Sequence, residues 1–203
     1  MRTNLYLLAA GLFDQPDANQ TGRLRGLIAE LLHQDSSDEA WFSLLLELTA
    51  RLGVDDGDVA AEYTRLFILA VPQVAAQPFG SCWLEPDHGL MGHTTVQVRE
   101  MMAACGLKPA RGLLPDHIVS ELEFMAWLSA EEPSVETQEM QRRLLNEHLE
   151  RWVPRFTAAL RAARPSPRFM LAANLLDRLL AEDAHHLNGP RTQSKTAALG
   201  VAP

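Results

Sequence analysis

The chain has 203 residues, of which 47% are hydrophobic and 22% charged, and its net charge is −8 at pH 7. This composition is typical of a folded globular protein, and the acidic balance disfavours general nucleic-acid binding, which needs a basic face. The two cysteines favour a reducing compartment, and no apolar run approaches the roughly 20 residues that span a bilayer.

The first apolar run, residues 2–13, predicts a helix. It also resembles a short export signal, but the run ends in Phe-Asp-Gln-Pro (residues 13–16), and no small-x-small cleavage site lies at the right distance. We therefore expect a first core helix in a cytoplasmic protein.

Three further helices are predicted before residue 71. Residues 14–20 form a polar loop, and Thr21 predicts the N-cap of the second helix. Residues 36–38 offer a cap for the third helix, which Gly53 would end. Three acidic residues, Asp55, Asp56 and Asp58, predict the start of the fourth helix, because acids favour the positive end of the helix dipole.

Residues 71–91 contain three prolines and two glycines, so we expect a loop without helix. A loop of about twenty residues inside a compact domain is unusual and is often functional. It carries Phe79 and Trp83, which are either core anchors or part of a binding surface.

Two helix starts are predicted in the next stretch. Thr94 or Thr95 would cap one helix, which Gly106 would end. Residues 114–117 (Leu-Pro-Asp-His) are typical of the start of another helix, with a proline at the first position and an acid in the first turn. In this reading Asp116 is either an N-cap or a binding residue.

The C-terminal part predicts a helix from residue 133 to about 152, which Pro154 interrupts or restarts, and a last helix over about 168–183. No convincing alternating, strand-like segment occurs. The sequence therefore predicts an all-α, single-domain bundle of about 9–10 helices over residues 1–184, with a Pro-rich hinge or loop at 71–91. Residues 185–203 are expected to be a disordered tail.

The motifs give little support for catalysis or cofactors. Ser81 lies in Phe-Gly-Ser-Cys-Trp, which is not the Gly-x-Ser-x-Gly of a nucleophile elbow. His117 and Glu121 lie four residues apart but supply only half of a zinc site, and no phosphate-binding glycine loop is present. We expect no enzyme activity, no metal and no cofactor, and a metal-dependent enzyme remains the least favoured alternative.

The class of function that remains is that of a binding protein. Residues 30–139 contain 19 acidic and 5 basic residues, which is either a solvated helical surface or a surface for a basic partner. An apolar groove near Phe79, beside the acids Asp116, Glu121 and Glu123, would suit a peptide with a hydrophobic stretch and a basic end. Arginine pairs especially well with carboxylates, through two parallel hydrogen bonds.

Five short motifs occur in order. They are residues 62–67 (Glu-Tyr-Thr-Arg-Leu-Phe), 78–84 (Pro-Phe-Gly-Ser-Cys-Trp-Leu), 90–95 (Leu-Met-Gly-His-Thr-Thr), 115–125 (Pro-Asp-His-Ile-Val-Ser-Glu-Leu-Glu-Phe-Met) and 148–156 (His-Leu-Glu-Arg-Trp-Val-Pro-Arg-Phe). Together they resemble the TorD/DmsD/NarJ family of molybdoenzyme maturation chaperones, and the second motif is closest to its DmsD-like members. The resemblance covers about residues 58–183, whereas residues 1–57 match only in helical character.

The resemblance implies an all-helical chaperone that binds the twin-arginine signal peptide, the apo-form of a molybdoenzyme, or both. Such chaperones hold the client until its molybdopterin is inserted and keep it from premature Tat export. The chain departs from many members at Met101 and Met102, where they have an aromatic residue, and at Met170, where they have tyrosine.

By matching position, the resemblance implies a peptide-binding set, to which we add Glu121 and Glu123 for their charge. The matched residues are Tyr63, Leu66, Phe67, Phe79, Ser81, Trp83, Asp116 and His117. We expect no nucleic acid and no stable membrane insertion, and a monomer or a domain-swapped dimer. The alternative is a helical assembly factor that binds a folded reductase subunit without recognising a leader.

Overall fold

The computed structural model describes residues 1–34, 38–53, 58–69, 74–85, 89–109 and 112–189. Within these ranges the chain forms ten α-helices and no strand, so the all-α prediction is confirmed. The helices are α1 (Arg2–Phe13), α2 (Gln20–Gln34), α3 (Glu39–Arg51), α4 (Val59–Tyr63), α5 (Ser81–Leu84), α6 (His93–Ala104), α7 (Ile118–Ala130), α8 (Val135–Leu144), α9 (Glu150–Ala162) and α10 (Pro167–Asn188).

Two π-helical segments extend this set. Thr64–Ile68 continues α4 directly, and Leu145–Leu149 joins α8 to α9 in one continuous helical stretch. Segments of this kind are frequent at functional sites. The first of them contains Leu66 and Phe67, which belong to the first motif.

Helices α1 and α7 form the centre of the bundle and pack against each other. Both are apolar over most of their circumference, which is typical of helices that neighbours surround. Helix α7 buries nine of its 13 residues, from Ile118 to Leu128. One hydrophobic cluster extends from Leu5 to Leu187, so the parts of the chain before and after residues 71–91 share a core.

Of the predicted starts of α2 and α3, the one confirmed has a capping side chain that bonds to the first turn of its own helix. Asp38 caps α3 as predicted, because its carboxylate accepts hydrogen bonds from the N–H groups of Ala40 and Trp41. Thr21, in contrast, lies inside α2 and is not its cap. That helix begins one residue earlier, where the Gln20 side chain donates to the carbonyl oxygen of Gly11 at 2.9 Å.

The predicted threonine caps of α6 are also wrong. The helix begins at His93 with Gly92 as its N-cap. Thr94 instead donates from its backbone N–H and its hydroxyl to Glu85 Oε1, at 2.7 and 2.6 Å. Glu85 directly follows α5, a helical turn inside the segment that was expected to contain no helix. A side chain across the loop therefore replaces the local cap.

Two expectations about the last helices are corrected. Pro154 lies inside α9 and does not interrupt it, since the helix runs on to Ala162. Helix α10 extends to Asn188, so residues 185–188 are helical and do not belong to a tail. The extension is stabilised because Leu187 is 5% exposed and its carbonyl accepts from Arg142 Nε at 2.8 Å.

Some sequence expectations cannot be compared with the structure. The predicted capping roles within residues 36–37 and 55–56, and the tail from residue 190, lie outside the described residues.

Candidate functional site

The second and fourth motifs form one structural unit. Residues 78–84 lie against residues 115–118, just before α7. The Gly80 N–H donates to the Asp116 carbonyl oxygen at 2.8 Å, and the Ile118 N–H donates to the Pro78 carbonyl oxygen at 2.8 Å. Phe79 and His117 form an isolated antiparallel bridge between the two segments. The fold thus joins motifs that the sequence separates by about 35 residues.

The buried side chain of Asp116 connects the two segments of this unit. Its side chain is 0% exposed, and Oδ2 accepts a hydrogen bond from the Ser81 N–H at 2.9 Å. Ser81 is also 0% exposed. Asp116 therefore holds the first residue of α5 in place and does not present its carboxylate at the surface. The N-cap of α7 is His117 and not Asp116, which corrects that alternative.

His117 is held as a neutral imidazole. Its Nδ1 accepts from the Val119 N–H at 3.2 Å, which leaves Nε2 as the protonated nitrogen. Burial lowers the pKa of His117 to about 4, although the neighbouring Asp116 acts in the opposite direction. The imidazole also packs edge-to-face on the Phe79 ring, with centroids 5.0 Å apart.

Glu121 lies beneath the same turn. It is 0% exposed, and burial raises its pKa well above the ordinary value. The charge of Asp116 raises this pKa further, whereas the Trp152 indole lowers it. The turn approaches closely, since a Cβ on Gly80 would lie 3.3 Å from Glu121 Oε1 and 3.2 Å from Trp152 Nε1. Burial thus favours the protonated form of this carboxyl group.

Phe79 and Trp83 are the half-buried aromatic residues of the unit. The Trp83 indole donates from Nε1 to the Gln77 carbonyl oxygen at 2.8 Å, and its ring packs against the core. Each side chain is therefore partly packed and leaves some apolar area in solvent, and its role in a binding surface stays a prediction.

The first motif supplies core residues. Leu66 and Phe67 are 0% and 3% exposed, and the Phe67 ring lies 5.4 Å from the Phe169 ring, centroid to centroid. Tyr63 is 5% exposed and donates from its hydroxyl to the Phe13 carbonyl oxygen at 3.3 Å. Burial raises the pKa of Tyr63 to about 12. The structure does not bring these three residues to a surface.

The acidic residues of the expected site separate. Glu121 and Glu123 are two residues apart on α7 and therefore point to different sides of the helix. Glu121 faces the interior, whereas Glu123 is exposed and lies beside two apolar surface hollows. Sequence reasoning missed these hollows because they are built by residues of α1, α2, α6 and the loop after α6.

Comparisons with known proteins agree with this architecture. The model of the family described as nitrate reductase delta subunit matches residues 32–158. The chaperone protein TorD of Salmonella bongori is 26% identical over 152 residues, which cover 75% of this chain and 69% of the relative. The chaperone protein TorD of a Psychrobacter species (strain PRwf-1) is 32% identical over 108 residues, 50% of this chain and 48% of that relative.

A solved structure shows the same fold. A protein from Archaeoglobus fulgidus, described as a candidate redox enzyme maturation protein, superimposes with a TM-score of 0.63 at 22% identity. The superposition covers 89% of this chain and 94% of that one.

The matched family model covers more than half of the chain, so the chain belongs to this family, the TorD/NarJ family of molybdoenzyme maturation chaperones. The resemblance stated from the motifs is confirmed. Both curated relatives are named as chaperones, and the family to which the chain belongs is one of maturation chaperones and not of catalysts.

In the described ranges, no set of three or more His, Cys, Asp and Glu side chains is arranged to hold a metal ion. None of the helices placed in the structure has both the length and the apolar character needed to cross a bilayer.

Proposed function

We propose that this chaperone acts in the cytoplasm, where it binds the twin-arginine leader of an apo-molybdoenzyme. It holds the client until molybdopterin is inserted and so prevents premature export. The observation that carries the proposal is the unit of residues 78–84 and 115–118, which combines two family motifs and leaves part of the half-buried Phe79 and Trp83 in solvent.

The apolar stretch of the leader would lie against Phe79 and Trp83. A contact of a few hundred Å² gives several kcal/mol at about 25 cal/mol per Å². Ordering a flexible peptide offsets much of this free energy, so we expect micromolar affinity.

Asp116, Ser81 and His117 would act from behind this surface. Asp116 orients the start of α5 through the Ser81 N–H, and the His117 ring supports Phe79. Replacing Asp116 and His117 together by alanine is therefore expected to weaken leader binding in a protein that still folds. Unchanged affinity in the folded double variant would contradict this assignment.

The test is calorimetric titration of the full chain with a twin-arginine leader peptide, beside the same peptide with two lysines. We expect micromolar binding that weakens with lysine, because lysine lacks the two-pronged geometry of the guanidinium. Phe79→Ser should weaken binding about tenfold or more. Phe42→Ser, at a half-buried phenylalanine of α3, is the matched control. Failure of every such leader to bind would overturn the proposal.

A second candidate is recognition of a folded reductase subunit without its leader, and the description of the matched family as a reductase subunit favours it. Co-expression with a client that lacks its leader distinguishes the two functions. Retention of the leaderless client supports this second candidate, and its loss supports leader recognition.

A further inference from the structure

Glu123 lies between two apolar hollows on the surface of α7. It lines both of them, together with its helix neighbours Val119 on one side and Phe124 on the other. One exposed carboxylate therefore has an apolar depression on each side.

The first hollow has a volume of about 160 Å³. Its walls are mainly apolar and are formed by Met102, Leu107, Pro109, Phe124 and Trp127, and the basic residue Lys108 also lines it. Ser120 also lines it. This side chain is 2% exposed, and its hydroxyl has no hydrogen-bond partner among the residues that the structure describes. A buried hydroxyl of this kind is costly unless something supplies a hydrogen bond.

The second hollow has a volume of about 280 Å³ and lies where α1, α2 and α7 meet. Leu7, Leu24 and Leu27 contribute apolar surface, and Leu7 is 38% exposed. Gly11 lies at its base, where a Cβ would come within 2.9 Å of Leu24 Cδ2. An aliphatic side chain suits such a hollow.

The charges around the second hollow are mainly negative. Among the described residues that line it, Asp14 and Glu123 are acidic and Arg23 is basic, and Arg23 forms an ion pair with Asp17 at 2.7 Å. A partner that brings a guanidinium group between two apolar side chains matches this surface in charge and in shape.

We propose that Glu123 receives an arginine of the leader, while the two hollows take apolar side chains on either side of it. This inference rests on the proposed function and names an acidic residue outside the unit of residues 78–84 and 115–118, on another side of α7. Asp116 and Glu121 are both 0% exposed, whereas Glu123 is exposed, so of these three acids Glu123 presents its carboxylate at the surface.

The first experiment measures calorimetric affinities of the leader for Glu123→Gln and for Glu47→Gln, with circular dichroism to verify folding. Glu47 is exposed on α3, lines neither hollow and changes the net charge equally. We expect Glu123→Gln to weaken binding about fivefold and Glu47→Gln less than twofold.

A double-mutant cycle then tests direct pairing. Each leader arginine is replaced in turn by glutamine and titrated against the wild type and Glu123→Gln. If one arginine pairs with Glu123, its loss and the loss of Glu123 are not additive, and we expect a coupling of about threefold or more. Additive effects for both arginines would overturn the inference.

A second pair of variants tests the hollows. Leu7→Gln, in the second hollow, is expected to weaken binding about fivefold, whereas Leu46→Gln, at a leucine of α3 that is 46% exposed, should have almost no effect. Equal effects of the two variants would overturn the role of this hollow.

The outcomes separate the two proposals. Leader binding to the wild type with unchanged affinity for Glu123→Gln overturns this inference and leaves the proposed function standing. The absence of leader binding to the wild type overturns both.

Discussion

Glu121 shows how far tertiary structure changes the chemistry of one residue. It is 0% exposed, and in the part of the chain that the structure describes the groups that act on it are Asp116 and Trp152. Burial and the negative charge of Asp116 raise its pKa, so the folded state binds a proton more readily than the unfolded state. The contribution of this group to stability is therefore present below about pH 4.5 and decreases as the pH rises.

We predict that Glu121→Gln stabilises the protein at pH 7.5 by about 1–3 kcal/mol, because glutamine keeps the shape and removes the titrating group. The gain should shrink towards pH 4, where the carboxyl group is protonated in both states. Urea unfolding at the two pH values measures this. A loss of stability of equal size at both would show that a specific carboxylate contact is being removed.

At the scale of an element, α5 has only four residues and depends on tertiary contacts for its position. Its preceding residue, Gly80, has a φ of −57°, which any amino acid can adopt, so the reason for glycine is space and not backbone conformation. The missing side chain allows the turn to approach Glu121 and the fully buried Trp152.

We predict that Gly80→Ala destabilises the protein by about 1–3 kcal/mol, because the new methyl group overpacks against buried neighbours. The matched control is Gly26→Ala in α2, where a Cβ meets nothing within 4 Å. That change should stabilise the helix by about 0.5–1 kcal/mol, since alanine is the better helix former. Changes of opposite sign in the free energy of unfolding, measured with denaturant, support this explanation. A Gly80→Ala variant as stable as the wild type contradicts it.

At the scale of the molecule, distant elements are joined by polar contacts inside the bundle. Asp183 of α10 pairs with Arg2 Nε at 2.7 Å and accepts from the Tyr6 hydroxyl at 2.6 Å, which connects the first helix to the last. His117 and His148 are buried in separate elements, and burial lowers the pKa of each to about 4. Global unfolding exposes both histidines together.

This burial predicts a sensitivity to acid. Each histidine contributes stability that is complete above about pH 6.5 and is lost as the pH falls towards 4, at about 1.4 kcal/mol per pH unit. Between pH 6.5 and 4.5, the free energy of unfolding of the His148→Gln variant should therefore fall by about 2 kcal/mol less than that of the wild type. Glu121 acts in the opposite direction over this range, so the comparison of variant with wild type is the informative one. If the free energy of unfolding of the variant and of the wild type changed with pH in parallel, the result would contradict a buried neutral His148.

The helical class could be predicted from the sequence because apolar spacing and local caps are encoded by neighbouring residues. The periodicity of residues 2–13 predicted α1, and Asp38 predicted the start of α3. The ordered motifs predicted the family for the same reason, since each is a short local pattern.

The errors concern partners that are distant along the chain. Thr94 bonds to Glu85 instead of capping its own helix, and α5 forms in a proline-rich segment because Asp116 holds its start. Glu121 and Glu123 look alike in the sequence, yet one is buried and the other exposed.

The sequence by itself thus determined an all-α chaperone of a recognisable family, because helix periodicity and short motifs are local. Only the tertiary structure decided which motif residues are buried in the interior and which reach the surface. Burial is set by packing between helices, and it separates Asp116 and Glu121 in the interior from Phe79, Trp83 and Glu123 at the surface.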